Sequence, residues 1–376
     1  MFKKVLISSL VSLSLTINLY GKEGSSYFNE GYQAYFKRDL VTAISKFREA
    51  ISKDPNEPTY HLYLGKAYYK KEMYEDALPE FLSTVKLDPK NAVGYLYLGR
   101  IYYESKSWTK ALENFKKLLE LEKDNLEAHL KVGEILIKIG HIDEAISQLK
   151  TAYELDNKDP FVSFFLGRAY LEKRDFAMSV SWFNNAITLE SNNPLFYYWR
   201  GNANFASADY KNPSDKDWKS RNDYMQATEL GLNTPEAHFM YGNTLLNRAF
   251  YYLTSNRREE GLDLLETSIL RYKRVTELSP TASNAYNNLG LAYYYLDRLD
   301  EAISSYKKAI DLEPLVAFFH DNLGDVYFKK GEYEEAVKEW ELVLELEPDY
   351  EHVSYGYLPF PRPGILEKIK QAKKRR

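Results

Sequence analysis

Histidines and paired carboxylates are the side chains of this sequence that could perform acid–base or metal chemistry. Because a metal site or a glycosidase needs one unique cluster of such groups, regular recurrence along a chain favours packing and surface roles instead. Both kinds of residue recur regularly in this sequence. Four of the six histidines stand four residues before a glycine: His61, His129, His238 and His320. Acidic pairs recur at a matching position in several repeats: Glu75-Asp76, Asp143-Glu144, Asp300-Glu301 and Glu334-Glu335.

Other catalytic signatures are absent from the sequence. It contains no Cys, no Gly-rich phosphate loop, no Gly-x-Ser-x-Gly elbow and no His-Glu-x-x-His motif. The sequence therefore predicts a protein that is not an enzyme, with no catalytic residue, no metal and no cofactor.

Composition indicates a folded chain with an unusual supply of aromatic residues. Of 376 residues, 44% are hydrophobic and 28% charged, and 33 are Tyr, against only 18 Gly and 14 Pro. The formal net charge of -4 argues against a general affinity for nucleic acid.

A glycine recurs through the chain with a fixed period. Successive glycines are 34 residues apart, except for gaps of 41 residues before Gly242 and 48 residues before Gly290. The nine repeat glycines are Gly31, Gly65, Gly99, Gly133, Gly167, Gly201, Gly242, Gly290 and Gly324. In most repeats an Ala follows twelve residues later and an aromatic residue sixteen later, as Ala77 and Phe81 follow Gly65. Small residues let two helices cross closely while the ring fills the adjoining space. Because one helix pair cannot bury its apolar stripe, successive pairs must stack into a solenoid.

These spacings resemble the tetratricopeptide repeat (TPR) family over about residues 24–348. The resemblance implies an all-α fold: a right-handed superhelical solenoid of nine TPR helix–turn–helix repeats. We expect insertions in repeats six and seven. The first is a long polar turn around residues 209–217, and the second is predicted to form longer helices because its apolar periodicity continues through the extra residues.

The two ends of the chain stand outside the repeats. Lys3 and Lys4 precede an uncharged stretch from Val5 to Leu19, the layout of a secretory signal peptide over residues 1–21. This stretch is shorter than the roughly 20 residues that span a bilayer. We expect export to the periplasm or cell envelope of a bacterium, with the mature chain beginning near Lys22. Anchoring by an uncleaved signal is the alternative.

Residues 349–376 comprise an aromatic and Pro-rich segment followed by a short basic helix. A solvated helix that caps the last repeat is the favoured interpretation. Its basic end leaves a peripheral contact with an anionic membrane as the alternative.

In the TPR family the first helix of each repeat lines the concave face. The resemblance therefore implies partner contacts six, three and two residues before and one residue after each repeat glycine. We call the positions two before and one after the first-helix face. The candidate contacts are Tyr63, Lys66, Tyr97, Arg100, Phe165, Arg168, Trp199, Asn202, Met240 and Asn243. Aromatic residues bordered by Lys or Arg suit an apolar ligand with acidic groups. Packing of these rings between repeats is the alternative.

The resemblance implies a non-enzymatic interaction scaffold or adaptor that holds a partner peptide or protein in the groove. The family's carboxylate clamp is not reproduced, because Phe28 and Tyr32 occupy its Lys and Asn positions in the first repeat. Glycan or peptidoglycan binding is a second hypothesis, since Tyr and Trp faces stack on sugar rings. The convex face and the 209–217 insertion are alternative binding surfaces.

Overall fold

A computed structural model describes residues 23–207, 215–255, 257–350 and 364–375. These residues form nineteen α-helices and no strand. The predicted signal peptide, most of the predicted polar turn and most of the Pro-rich segment lie outside the described residues. The helices are α1 Ser25–Phe36, α2 Leu40–Lys53, α3 Pro58–Lys70, α4 Tyr74–Leu87, α5 Ala92–Glu104, α6 Trp108–Leu121, α7 Leu126–Lys138, α8 Ile142–Leu155, α9 Pro160–Glu172, α10 Phe176–Leu189, α11 Pro194–Ala206, α12 Asp215–Glu229, α13 Pro235–Thr254, α14 Arg258–Leu278, α15 Ser283–Tyr295, α16 Leu299–Leu312, α17 Ala317–Lys330, α18 Tyr333–Leu346 and α19 Ile365–Arg375.

The described helices form nine pairs, from α1 with α2 to α17 with α18, followed by α19. Within each compact unit, every helix packs chiefly against its neighbours along the chain. The expected all-α repeat solenoid is confirmed. The chain divides into two compact units between Lys158 and Asp159, so that α1–α8 belong to the first unit and α9–α19 to the second.

Each repeat glycine marks the place where the first helix of a pair crosses the second. A Cβ atom at Gly99 would lie 2.8 Å from the ring of Phe115, sixteen residues later, so no larger residue fits without displacing that ring. In repeats six and seven the facing rings are Tyr224 and Tyr272, which follow their glycines by 23 and 30 residues. The insertions therefore lengthen the repeats without changing the crossing.

Repeat seven accommodates its extra residues in regular structure. Its helices α13 and α14 have 20 and 21 residues, whereas α15 and α16 of the next repeat have 13 and 14. The prediction of longer helices in this repeat is confirmed.

A residue with left-handed backbone ends the first helix in seven of the nine described repeats. It lies seven residues after the repeat glycine, with φ between 58° and 88°, and is Arg38, Glu72, Lys106, Gly140, Arg174, Asp297 or Gly331. At Lys106 its own amide and the following one donate to carbonyl oxygens of the last helical turn, at 3.0 and 2.8 Å. These bonds satisfy carbonyls that the helix end would otherwise leave unpaired.

The recurring acidic pairs lie in the first turns of second helices, for example Glu75 and Asp76 in α4 and Asp143 and Glu144 in α8. There the carboxylates complement the positive end of the helix dipole. Their recurrence is thus a feature of helix stability rather than of catalysis.

The C-terminal helix α19 packs on the last repeat. Ile365, Ile369 and Ala372 are buried against it, and Lys368 is also buried. The Lys368 ammonium lies 2.5 Å from a carboxylate oxygen of Asp321 and 2.6 Å from one of Asp325. This lysine therefore holds α19 in place and is not available to a membrane surface. None of the described helices is long and apolar enough to cross a membrane.

Candidate functional site

In the first unit, the first-helix face carries an alternation of tyrosine rings and cations. The partly exposed ring of Tyr97 stacks on Phe81, with centroids 4.8 Å apart and planes at 6°. The Lys66 ammonium lies 4.8 Å from the Tyr63 centroid and 6.0 Å from that of Tyr97, and the Arg100 guanidinium lies 5.3 Å from Tyr97. Such contacts hold the cations over the aromatic faces. Burial raises the pKa of Tyr97, although Arg100 lowers it in part, so this phenol is neutral near pH 7.

Tyr63 differs from the other candidates because it is only 8% exposed. Its ring makes edge contacts with Phe28, Tyr32 and Tyr35 of the first repeat, at centroid distances of 5.4, 5.2 and 6.2 Å. Burial is the main cause that raises its pKa. Tyr63 is thus a packing residue in this structure, and its burial does not support the expectation that it lies on an exposed surface.

Arg100 is joined to the following repeat rather than left open. Its Nε and Nη2 donate to the two carboxylate oxygens of Glu127 on α7, at 2.6 and 2.5 Å. The same hydrogen bonds are the main cause that raises the pKa of Arg100. Further along this face Glu134 accepts from Lys131, at 3.0 Å, and from the Tyr103 hydroxyl. Two cations of this surface therefore already have anionic partners within the chain.

In the second unit, Arg168 and Trp199 form the closest cation–aromatic contact of the candidate set. The guanidinium carbon of Arg168 lies 3.5 Å from the Trp199 ring centroid, so it covers one face of the indole. Phe165 packs beside Phe164, at 5.1 Å, and Met240 packs against the buried cluster of Tyr224, Tyr241 and Leu245. All four candidates in this group keep part of their surface accessible.

Asn202 and Asn243 make hydrogen bonds within their own repeats. The hydroxyl of Tyr224 donates to Asn202 Oδ1 at 2.7 Å, and that of Tyr272 donates to Asn243 Oδ1 at 2.8 Å. Both tyrosines occupy the packing position that Phe fills in most earlier repeats. Each Asn therefore satisfies a buried phenol, and Asn243 also accepts from Asn288, at 3.0 Å. Tyr in place of Phe, paired with Asn just after the glycine, is the sequence signal for this role.

The phased histidines are hydrogen-bonding residues that connect a first helix to its surroundings. His61 donates to Glu80 from Nδ1 at 2.6 Å and to the Pro55 carbonyl from Nε2 at 2.9 Å. His320 does the same with Glu339 and Pro314, at 2.7 and 3.0 Å. Among the described residues, no group of His, Asp and Glu is placed to hold a metal ion.

Sequence reasoning missed a partly buried ion pair in repeat six. Arg200, which stands where Leu usually precedes the glycine, donates from Nε and Nη2 to Asp223, at 3.1 and 2.5 Å, and from Nη1 to Asn184, at 2.7 Å. Burial raises the pKa of Asp223, although Arg200 and Asn204 lower it in part. The unusual Arg is thus a structural residue, and the buried partner Asp223 gave no signal because it stands 23 residues away.

Family models described as tetratricopeptide repeat match residues 28–92, 64–126, 102–160, 162–193, 241–312 and 287–351. Together these matches cover well over half of the chain. The chain belongs to the tetratricopeptide repeat family. TPR proteins generally act as scaffolds for protein–protein interaction, and TPR repeats account for the glycine period, the paired helices and the facing rings.

Solved TPR structures share the fold. A TPR protein from Parabacteroides merdae is 17% identical, with 72% of this chain and 99% of its own covered, at a TM-score of 0.51. The C-terminal part of a TPR protein from Cytophaga hutchinsonii is 20% identical over 70% of this chain and 99% of its own, also at 0.51. YrrB, a TPR protein with an unusual peptide-binding site, is 18% identical; the match covers 60% of this chain and 97% of YrrB, at a TM-score of 0.47. At such low identities the likenesses to the first two proteins show the fold alone. No curated protein sequence matches the chain.

Proposed function

We propose that this TPR protein is a non-enzymatic scaffold of the bacterial cell envelope that binds a partner peptide or protein on its first-helix face. The observation that carries the proposal is the set of partly exposed rings held beside cations: Tyr97 with Lys66 and Arg100, and Trp199 with Arg168. Rings of this kind are the usual anchors of protein interfaces. TPR family membership supports the same class of activity.

The arrangement of the rings favours a peptide over a glycan. Sugar stacking needs an open aromatic face, but Arg168 covers one face of Trp199 at 3.5 Å and Phe81 covers one face of Tyr97. At least one face of each ring is therefore taken up within the chain, and the accessible part of each ring lies beside a cation. Peptides fit such surfaces because their side chains approach from several directions and carry both apolar and acidic groups.

Export is the second part of the proposal and rests on the sequence of residues 1–21. Two lysines precede a 15-residue uncharged stretch, Val5 to Leu19, as in a signal peptide. N-terminal sequencing of the protein from fractionated cells tests this part. A chain that begins near Lys22 in the envelope fraction is expected, and an intact Met1 in the cytoplasmic fraction contradicts it.

Site-directed photo-crosslinking tests the binding part. A photoreactive phenylalanine analogue is placed at Tyr97 or Trp199 in the native host, and at Leu82 as a control, because Leu82 is 44% exposed on the second helix α4. We expect a cross-linked protein at one or both first-helix positions, each tested in its own unit, and none at Leu82. Cross-links confined to Leu82 would place the partner on another surface.

A further inference from the structure

Lys66 is a partly exposed cation on α3 that lies among aromatic rings without a carboxylate. Its nearest partners are the rings of Tyr63 and Tyr97. Among the residues that the structure describes, no carboxylate forms an ion pair with its ammonium group. The loss of water around it, with no compensating anion, lowers the pKa of Lys66. A cation in this condition gains more from an incoming anion than a fully hydrated one does.

The other two cations of the first-helix face in this unit, Arg100 and Lys131, are already paired with carboxylates of the chain. Arg100 is bound by both oxygens of Glu127, and Lys131 by Glu134. A ligand carboxylate at either position must displace an internal one. At Lys66 no internal carboxylate has to be displaced, so the net gain in ion pairing is larger there than at Arg100 or Lys131.

We propose that Lys66 binds the carboxylate of an Asp or Glu side chain within a partner peptide. The inference rests on the function proposed above and adds the chemistry of one contact on the first-helix face. The partly exposed ring of Tyr97, beside Lys66, contacts an apolar residue next to the acidic one.

The geometry fits an internal side chain better than a chain terminus. A terminal carboxylate is usually gripped by several donors, such as a nest of backbone amides, whereas the amides around Lys66 lie inside the helix α3. Lysine supplies one compact charge without a fixed fork of donors. Rings of two successive repeats, Tyr63 and Tyr97, flank that charge.

Selection from a peptide library identifies the required probe. A display library of random peptides about twelve residues long is selected on the full chain, and the bound peptides are made with amidated ends. We expect them to share an Asp or Glu beside an apolar residue. Replacement of that acidic residue by Asn or Gln should weaken binding by about tenfold or more.

A double-mutant comparison connects that loss to Lys66. In Lys66→Met the same peptide replacement should change affinity by less than about twofold, because the coupled charge is already gone. Lys66→Arg should keep most of the dependence on the acidic residue.

Lys70→Met is the matched control, since Lys70 lies on the same helix, one turn later, over the ring of Tyr35. It should leave affinity unchanged. Lys66→Met should fold at least as well as the native chain, because it removes a desolvated charge.

The outcomes separate this inference from the function on which it rests. Suppose that a selected peptide needs Tyr97, but that replacing its acidic residue by Asn or Gln weakens binding equally to the native and the Lys66→Met chains. That result would overturn the role of Lys66 and leave the proposed peptide-binding function standing. Peptides that bind only with a free carboxyl end would overturn the assignment to a side chain. A selection that yields no peptide would contradict both the role of Lys66 and the proposed peptide-binding function.

Discussion

Arg100 on α5 and Glu127 on α7 form a two-point ion pair that joins the first helices of successive repeats, with N–O distances of 2.6 and 2.5 Å. The sequence predicts that Arg100 faces a partner and sets its acid preference. Because its donors already hold Glu127, Arg100 is first a contact between repeats.

Arg100→Glu should therefore lower stability as well as affect binding. Two carboxylates would face each other at a partly exposed position, which should cost about 1 kcal/mol of unfolding free energy, less at high salt. Urea unfolding measures the loss. The charge swap Arg100→Glu with Glu127→Arg should recover most of it, and a double variant no more stable than the single one would show that the pairing contributes nothing.

The contact between Gly99 and Phe115 makes a second prediction. Gly99→Ala would place a methyl group 2.8 Å from the Phe115 ring, and should cost about 1–3 kcal/mol by overpacking. Phe115→Ala should cost about 3–5 kcal/mol by leaving a cavity. In the Phe115→Ala chain the added methyl of Gly99→Ala no longer meets the ring, so its cost should largely disappear. Chemical denaturation of the four chains gives the comparison, and strictly additive losses would contradict the predicted contact.

Left-handed backbone at the end of α5 makes a third prediction. Lys106 has φ 58°, a conformation that costs residues other than glycine about 1–2 kcal/mol. Lys106→Gly should therefore raise the free energy of unfolding by about 0.5–1 kcal/mol, after allowing for the greater freedom of glycine in the unfolded chain. Lys116→Gly, at an exposed position inside α6, should instead lower it by about 1 kcal/mol. Equal effects of the two substitutions would rule out relief of strain at Lys106.

The hydrogen bonds of His61 make stability depend on pH. Burial lowers the pKa of His61, but the bonds to Glu80 and to the Pro55 carbonyl, with the charge of Glu80, together raise it above the ordinary value of 6.5. Both ring nitrogens face acceptors, so the charged imidazolium fits best. A raised pKa in the folded state means that this contribution is present below the unfolded pKa and is lost as pH rises through the folded pKa.

His61→Gln should consequently cost more stability at about pH 5.5 than at about pH 8.5, by roughly 1.4 kcal/mol for each unit by which the pKa is raised. Urea unfolding at the two pH values provides the test, with Glu80→Gln as the companion variant. A cost for His61→Gln that grows with pH would contradict the charged pair.

Much of the fold could be predicted because its determinants are local and repeated. The spacing of Gly65 and Phe81 recurs from repeat to repeat, and the apolar periodicity that continues around Gly242 is enough to indicate long helices there. The surface was less predictable. Nothing in the sequence indicates that Arg100 faces Glu127, or that Tyr63 is buried among rings of the first repeat, because such pairings depend on how side chains of successive repeats fill a shared space.

The measurement that most directly tests the central claim is the affinity of one identified partner peptide for three forms of the chain: native, Tyr97→Ala and Leu82→Ala. Tyr97 lies on the first-helix face, whereas Leu82 is exposed on a second helix. If the first-helix face is the binding surface, Tyr97→Ala should weaken binding by about 1–4 kcal/mol, and Leu82→Ala should leave it unchanged, with similar melting temperatures. Full affinity in Tyr97→Ala together with a loss in Leu82→Ala would contradict the account.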